Sequence, residues 1–338
     1  MSSAAPDDPS GHVTAVIRAG VVESVEVEGV ANADTGELLT RTSAFYVGSL
    51  AKQFVAACAA LLVADGRLDL EEPVTGYVDA LPAWAAGVRV RHLVHHTSGI
   101  GDRHRGGPSP PPSGVPSYGD REVMEEIRAL PATEFPPGSR YAYSNRGYQL
   151  LGQIVAAVAD ESLPRFAAER LLLPLGMSSS FFRDAPTELP RGAARGHFEA
   201  DDGRTYVEPA DFHAVGAGGL WTTADDLARW DAAFYDGDAI TQRLTKRGAL
   251  DDGTPIHYGW GLSIRTHRGQ PIHSHGGGFP GWLTKMVRFP LQRTTVLILA
   301  NGERRDVSGD AFALADDLLA DHLDPTAPHA DETFDGVA

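Results

Sequence analysis

Ser49 and Lys52 stand three residues apart at the head of the stretch Leu50 to Ala64, in which Lys52 is the only charged side chain. That spacing puts both side chains on one face of a helical turn. A stretch apolar nearly all round predicts a buried helix, and burial and the positive helix end both disfavour an ammonium. A lysine whose pKa is lowered in this way can take a proton from Ser49 and make it a nucleophile. The plainer alternative makes Ser49 an N-cap and Lys52 a solvated first-turn residue. A capping box, however, asks for Glu or Gln three residues after the serine, and a cation there opposes the helix dipole.

Two further clusters carry chemistry. Tyr141-Ala-Tyr143-Ser144-Asn145 follows Phe135-Pro-Pro-Gly138 and precedes a helical pattern from Gly147. It reads either as a turn that caps that helix or as a phenol, Tyr143, able to shuttle protons, beside an amide, Asn145, able to hold a lysine or a substrate carbonyl. His273-Ser-His275-Gly276-Gly277-Gly278 ends a strand-like run. Residues 273 and 275 share a strand face, which raises a metal reading, but no Cys or carboxylate stands at ligand spacing. Glycines at a strand edge instead mark close approach of a backbone or ligand, with amides free to face an oxyanion.

The elements that must position these residues follow from periodicity. Val13 to Ala19 and Val21 to Val30 predict a hairpin turning at Ala19-Gly20. Helices are expected over Leu50–Ala64, Val88–His95, Glu122–Leu130, Gly147–Ala159 and Leu163–Leu173, and from a Thr223 cap to Phe234. Strands return at Tyr258–Thr266, Ile272–His275, Leu283–Phe289 and Thr294–Ala300, before a closing helix over Gly309–Leu323. Arg105 to Gly119 is a loop rich in Pro, Gly and Ser. Strands at both ends around a helical middle imply an α/β (α+β) fold: an antiparallel five-stranded sheet built from both termini, flanked by helices, with a mostly helical inserted domain. The expected organisation is a flexible N-terminus at 1–11, a sheet domain of 12–66 with 235–323, a helical domain of 67–234 and a loose acidic tail at 324–338.

The chain has 338 residues, a formal net charge of −16, 42% hydrophobic and 22% charged residues. Such acidity argues against nucleic acid or an anionic membrane as partner and suits work on small molecules. Cys58, the single cysteine, lies inside the apolar helix and is expected to be a core residue. The first twelve residues show neither the basic nor the apolar region of a signal peptide, so a cytoplasmic chain is expected, with an exported precursor as the alternative.

Ser49-x-x-Lys52, Tyr143-x-Asn145 and His275-Gly276-Gly277, in that order, resemble the motifs of the serine β-lactamase and penicillin-binding-protein superfamily. The second is similar to the Y-x-N version of class C β-lactamases, D-alanyl-D-alanine peptidases, D-aminopeptidases and related esterases. The third replaces K-T-G. The likeness runs from about Val13 to Gly302, through Leu61–Leu70, Val90–Gly99, Pro174–Met177 and Gly216–Leu227. It implies that Ser49 is acylated, that Lys52 and Tyr143 share the proton traffic, that Asn145 orients Lys52 and substrate, and that the amides of Ser49 and Gly278 form an oxyanion hole. His275, Gly276, Gly277 and Gly278 would bind substrate, with no cofactor and no metal. Histidine in place of the K-T-G lysine, largely neutral at pH 7, shifts the expectation from β-lactams toward a small ester or amide. β-Lactamase or D-amino-acid peptidase action, acyl transfer and a non-turnover acyl sensor are the alternatives. Arg105–Gly119 and Phe279–Trp282 are expected either to wall an apolar acyl pocket or to be an insertion and an ordinary turn.

Overall fold

The structure, a computed structural model, describes residues 10–102, 118–199, 205–207 and 212–330. Six antiparallel strands form the main sheet: β1 (His12–Arg18), β2 (Val21–Glu28), β3 (Ser263–His267), β4 (Gln270–Phe279), β5 (Trp282–Phe289) and β6 (Thr294–Ala300), in the order β3-β4-β5-β6-β1-β2. The two ends of the chain meet in the middle, where Val13 lies opposite Leu299. Every residue of β6 is buried, as a strand covered on both faces requires. Its side chains alternate between two cores: Leu297 and Leu299 face the larger one, Val296 and Ile298 the smaller. β2 places Val22, Val25 and Val27 half-buried and turns Glu23, Glu26 and Glu28 outward, charges that discourage edge-to-edge pairing.

Four helices matter for the site: α1 (Lys52–Ala64), α2 (Asn145–Ala159), α3 (Ala224–Ala233) and α4 (Val307–Leu318). α1 packs against α2, α3 lies on β1, β2 and β6, and α4 covers β5 and β6. α1 is buried from Lys52 to Ala60 without a break, including Cys58. A single turn of tighter 3-10 helix, Gly48–Ala51, leads into it and rests against β4 and β5. Among the described residues no helix is long and apolar enough to cross a membrane.

The structure corrects several expectations. The sheet has six strands where five were expected, because each of the six apolar runs adds one strand, edges included. β4 does not stop at His275 but continues through the glycines to Phe279, with Gly277 opposite Thr284. Gly277 is there for proximity: a Cβ on it would stand 2.0 Å from the Val47 carbonyl oxygen. β3 starts at Ser263 rather than Tyr258, the helix expected at Val88–His95 spans only Val90–Val94, and the closing helix spans Val307–Leu318. Residues 324–330 of the acidic tail are held rather than loose: Asp324 and Ala330 donate backbone amides to the Arg268 carbonyl and to His267 Nδ1. Residues 1–9, 331–338 and most of the Pro-rich loop lie outside the described residues.

Candidate active site

At the mouth of α1, Lys52 Nζ lies 2.9 Å from Ser49 Oγ, 2.8 Å from Asn145 Oδ1 and 3.0 Å from the Ala217 carbonyl oxygen. Ser49 makes no cap bond to the helix backbone, so the N-cap reading fails. Lys52 is fully buried, and Ser49 is 9% exposed at its edge. Burial pushes the Lys52 ammonium down to about 7, while the Asp102 carboxylate pulls it partly back. Near neutral pH much of the amine is therefore uncharged. Asn145 Oδ1 and the Ala217 carbonyl can only accept, so they take two N–H bonds of that amine. The third direction faces Ser49 Oγ, and in the neutral amine it holds the lone pair. This geometry can draw the hydroxyl proton off Ser49.

Tyr143 joins the pair through its ring, with Lys52 Nζ 4.7 Å from the ring centroid. His96 holds the segment that carries Tyr143 and Asn145. The His96 carbonyl accepts from Ala142 N, and its Nδ1 accepts from Ser144 N at 3.1 Å. Its ring lies 4.2 Å from that of Tyr143. Burial, with Lys52 and His275 close by, keeps His96 neutral well below its ordinary range. Asp102 accepts the backbone amides of Asn145 and Arg146 at 2.7 and 3.0 Å, capping α2 so that Asn145 reaches Lys52. The Ser144 hydroxyl accepts from Gly147 N as the N-cap, so the plainer turn reading holds for Ser144 as well.

β4 brings the glycines beside Ser49. Gly48, at φ +51, lies so close that a Cβ would stand 2.9 Å from the Gly278 nitrogen. Thr284 Oγ1 donates to the Val47 carbonyl at 3.1 Å and ties the serine turn to the sheet. A cleft of about 520 Å³, including its open mouth, starts at Gly48, Ser49 and Gly278. It is lined further by the aromatic Tyr46, Tyr118, Phe212 and Phe279 and by the polar Asp102, Glu126, Arg146 and Gln149. Arg146 and Glu126 of that polar set pair at 2.6 Å. Phe279 packs against Phe212 at a tilt and against Tyr46 edge-on, and it lines the cleft as expected of a pocket wall. Trp282 and Pro280 are not among the lining residues.

His275 is placed differently from the substrate-binding role expected of it. It is buried and absent from the cleft lining, as are Gly276 and Gly277. Its Nδ1 lies 2.6 Å from the Gly276 carbonyl and its Nε2 lies 2.9 Å from Tyr258 Oη. Asp102, His96, Tyr258 and the Ala217 carbonyl are functional candidates that motif reading missed. The phrases His96-Thr-Ser-Gly99 and Gly216–Leu227 pointed to two of them without giving a role.

Among the described residues, His267, Asp316 and His329 alone have the spacing of metal ligands. Ala330 N donates to His267 Nδ1, so the ring proton sits on Nε2 and is given to Asp316 at 2.7 Å. A metal on Nε2 would force that proton onto Nδ1, against the Ala330 N–H. Arg268, bonded to both Asp316 and His329, adds a positive charge. The cluster is a clasp for the tail.

A model of the Beta-lactamase family matches residues 7–320. The chain belongs to the Beta-lactamase family. Within it, the chain is 30% identical to a penicillin-binding protein of Bacillus subtilis over 285 residues, 78% of this chain and 62% of that one. It is 27% identical to a D-aminopeptidase of Gluconobacter oxydans over 305 residues, 86% of this chain and 55% of that one. The chain thus spans less than two thirds of these curated relatives. An octameric penicillin-binding protein homologue from Pyrococcus abyssi superposes with a TM-score of 0.80 at 25% identity, covering 92% of this chain and 73% of that one.

Proposed function

We propose that this member of the Beta-lactamase family is a serine hydrolase that cleaves small amides or esters through an acyl-enzyme on Ser49. The observation that carries the reading is the contact between Ser49 Oγ and a fully buried Lys52 whose other two polar contacts are to pure acceptors. Ser49 Oγ attacks the carbonyl carbon and its proton passes to Lys52 Nζ. The proton returns by way of Tyr143 to the leaving nitrogen or oxygen as that bond breaks. Backbone amides of Ser49 and Gly278 receive the oxyanion, a contribution of about 3 kcal/mol per donor in comparable hydrolases. Water, activated by the same pair, releases the acyl group.

The substrate follows from the cleft. The aromatic lining suits an apolar body, and two carboxylates against one guanidinium in the same lining suit an ammonium. A neutral His275 supplies no fixed charge for a carboxylate. Amides and esters of amino acids with a free amine fit both features, and the aminopeptidase relative points to the D configuration.

The test is a panel of p-nitrophenyl butyrate, D-alanine p-nitroanilide, its N-acetyl form and nitrocefin, with wild type and Ser49→Ala. Turnover lost in Ser49→Ala and preference for the free amine support the reading. Wild-type rates in Ser49→Ala would overturn the nucleophile. A mass adduct that forms and never leaves would make the chain an acyl sensor.

A further inference from the structure

Gln149 stands one turn along α2 from Asn145, about 6 Å by helical rise. Helical side chains lean toward the N-terminus, so Gln149 leans back toward the residue that holds Lys52. Gln149 lines the cleft that opens at Ser49 and is otherwise buried, 9% exposed. The chain at Gly216 seals one side of it: a Cβ there would stand 2.7 Å from Gln149 Cα. Among the described residues no group forms a hydrogen bond with the Gln149 carboxamide. The charged groups beside it are committed, Asp102 to the α2 amides and Glu126 and Arg146 to each other. A carboxamide nine-tenths buried and unbonded is a cost to the fold, and it calls for a partner that arrives with the substrate.

The chemistry of the group narrows what that partner is. A carboxamide offers two N–H donors and one carbonyl acceptor in a plane. An ammonium would meet the acceptor alone and a carboxylate the donors alone, whereas a secondary amide meets both. One residue of extended chain spans about 3.3–3.6 Å, so the peptide group next to the attacked carbonyl is the one within reach of a side chain one turn from Asn145. We infer that Gln149 is a specificity residue that pairs with a peptide amide one residue removed from the scissile carbonyl, so that the preferred acyl group is a dipeptide rather than a single amino acid. The inference rests on the acyl-enzyme reading above and keeps its free amine, now on the second residue, for the cleft carboxylates.

Glycylglycine p-nitroanilide and 5-aminopentanoic acid p-nitroanilide test it, with wild type, Gln149→Met and Gln149→Glu. The two acyl chains have the same length and the same terminal ammonium, and only the first holds a peptide group. In wild type kcat/KM should favour the dipeptide, and in Gln149→Met the ratio of the two should fall about ten-fold, as for the loss of a paired hydrogen bond. Methionine matches glutamine in length and helix propensity, so the Tm should hold or rise once the unbonded amide is gone. Gln149→Glu keeps the acceptor and loses both donors, so its ratio should fall too. A clear drop in the Tm of Gln149→Met would mean that the amide is bonded within the fold, and overturns the inference. An unchanged ratio in Gln149→Met also overturns it; should Gln149→Glu then raise both rates, the contact is with the ammonium instead. Wild-type turnover of D-alanine p-nitroanilide without Ser49-dependent turnover of the dipeptide overturns the peptide assignment and leaves the hydrolase reading standing. No Ser49-dependent turnover of any of the three overturns both.

Discussion

Asp102 grips Asn145 by the backbone, accepting its amide at 2.7 Å, while the Asn145 side chain accepts from Lys52 Nζ at 2.8 Å. A residue lining the cleft thereby holds the partner of the general base in place and pulls the pKa that burial lowers partly back up. Asp102→Asn removes a charge that favours protonated Lys52, so the acid limb of kcat/KM should move to lower pH. It also weakens a charged bond to the α2 amides, typically about 1.5–3 kcal/mol, so the plateau should fall by about ten-fold or more. A pH profile of p-nitrophenyl ester turnover checks both signs.

Lys52 carries a stability signature independent of catalysis. Its folded pKa, about 7, lies below the ordinary lysine value of 10.5, so between these the unfolded chain binds more protons and stability rises with pH. Below 7 both states are protonated and the full cost of the buried charge is present. The Tm of Lys52→Met minus that of wild type should therefore be largest at pH 7 and below and shrink as pH rises toward 10.5. A gap that stays constant from pH 6 to 10 would contradict the buried-amine account.

The three motifs were legible because each is local: Ser49 and Lys52 share one turn, Tyr143 and Asn145 one bend, and the glycines one strand. The strand runs were equally clear from Val, Ile and Leu. What escaped are partners brought from far along the chain. Ala217 acts through a backbone carbonyl, which leaves no mark in the sequence, and Asp102 looks like any loop aspartate until it caps a helix that starts at residue 145. His275 was visible, but not that its ring turns toward Tyr258. Glycine, read as the end of a strand, hid the continuation of β4, because Gly277 pairs with Thr284 while its missing side chain answers to the approach of Val47.

Gly277→Ala tests that approach. Its Cβ would meet the Val47 carbonyl at 2.0 Å, and a strand backbone on one side and the serine turn on the other leave little room to yield. We expect acylation to fall by more than ten-fold, a cost of about 1.4 kcal/mol or more in the barrier, with the Tm lowered as well. Gly87→Ala, whose Cβ would meet only Pro137 at an ordinary 3.9 Å, is the control for general glycine replacement.

Between α3 and the sheet, Asp231 and Arg288 pair at 2.7 Å with both side chains out of solvent, and Thr295 Oγ1 adds a bond to the same carboxylate oxygen. Asp231→Ala strands the guanidinium and should cost about 3–5 kcal/mol in chemical denaturation. Asp231→Leu with Arg288→Met should recover most of that loss, because the desolvation cost of both charges disappears with them.

The buried-lysine base is tested most directly by the rate at which an activated ester acylates Ser49 in a single turnover, followed by intact mass from pH 5 to 9. It predicts a rise through an apparent pKa near 7 that disappears in Lys52→Met, with the label on Ser49. A rate independent of pH across that range, or wild-type acylation of Lys52→Met, would contradict it.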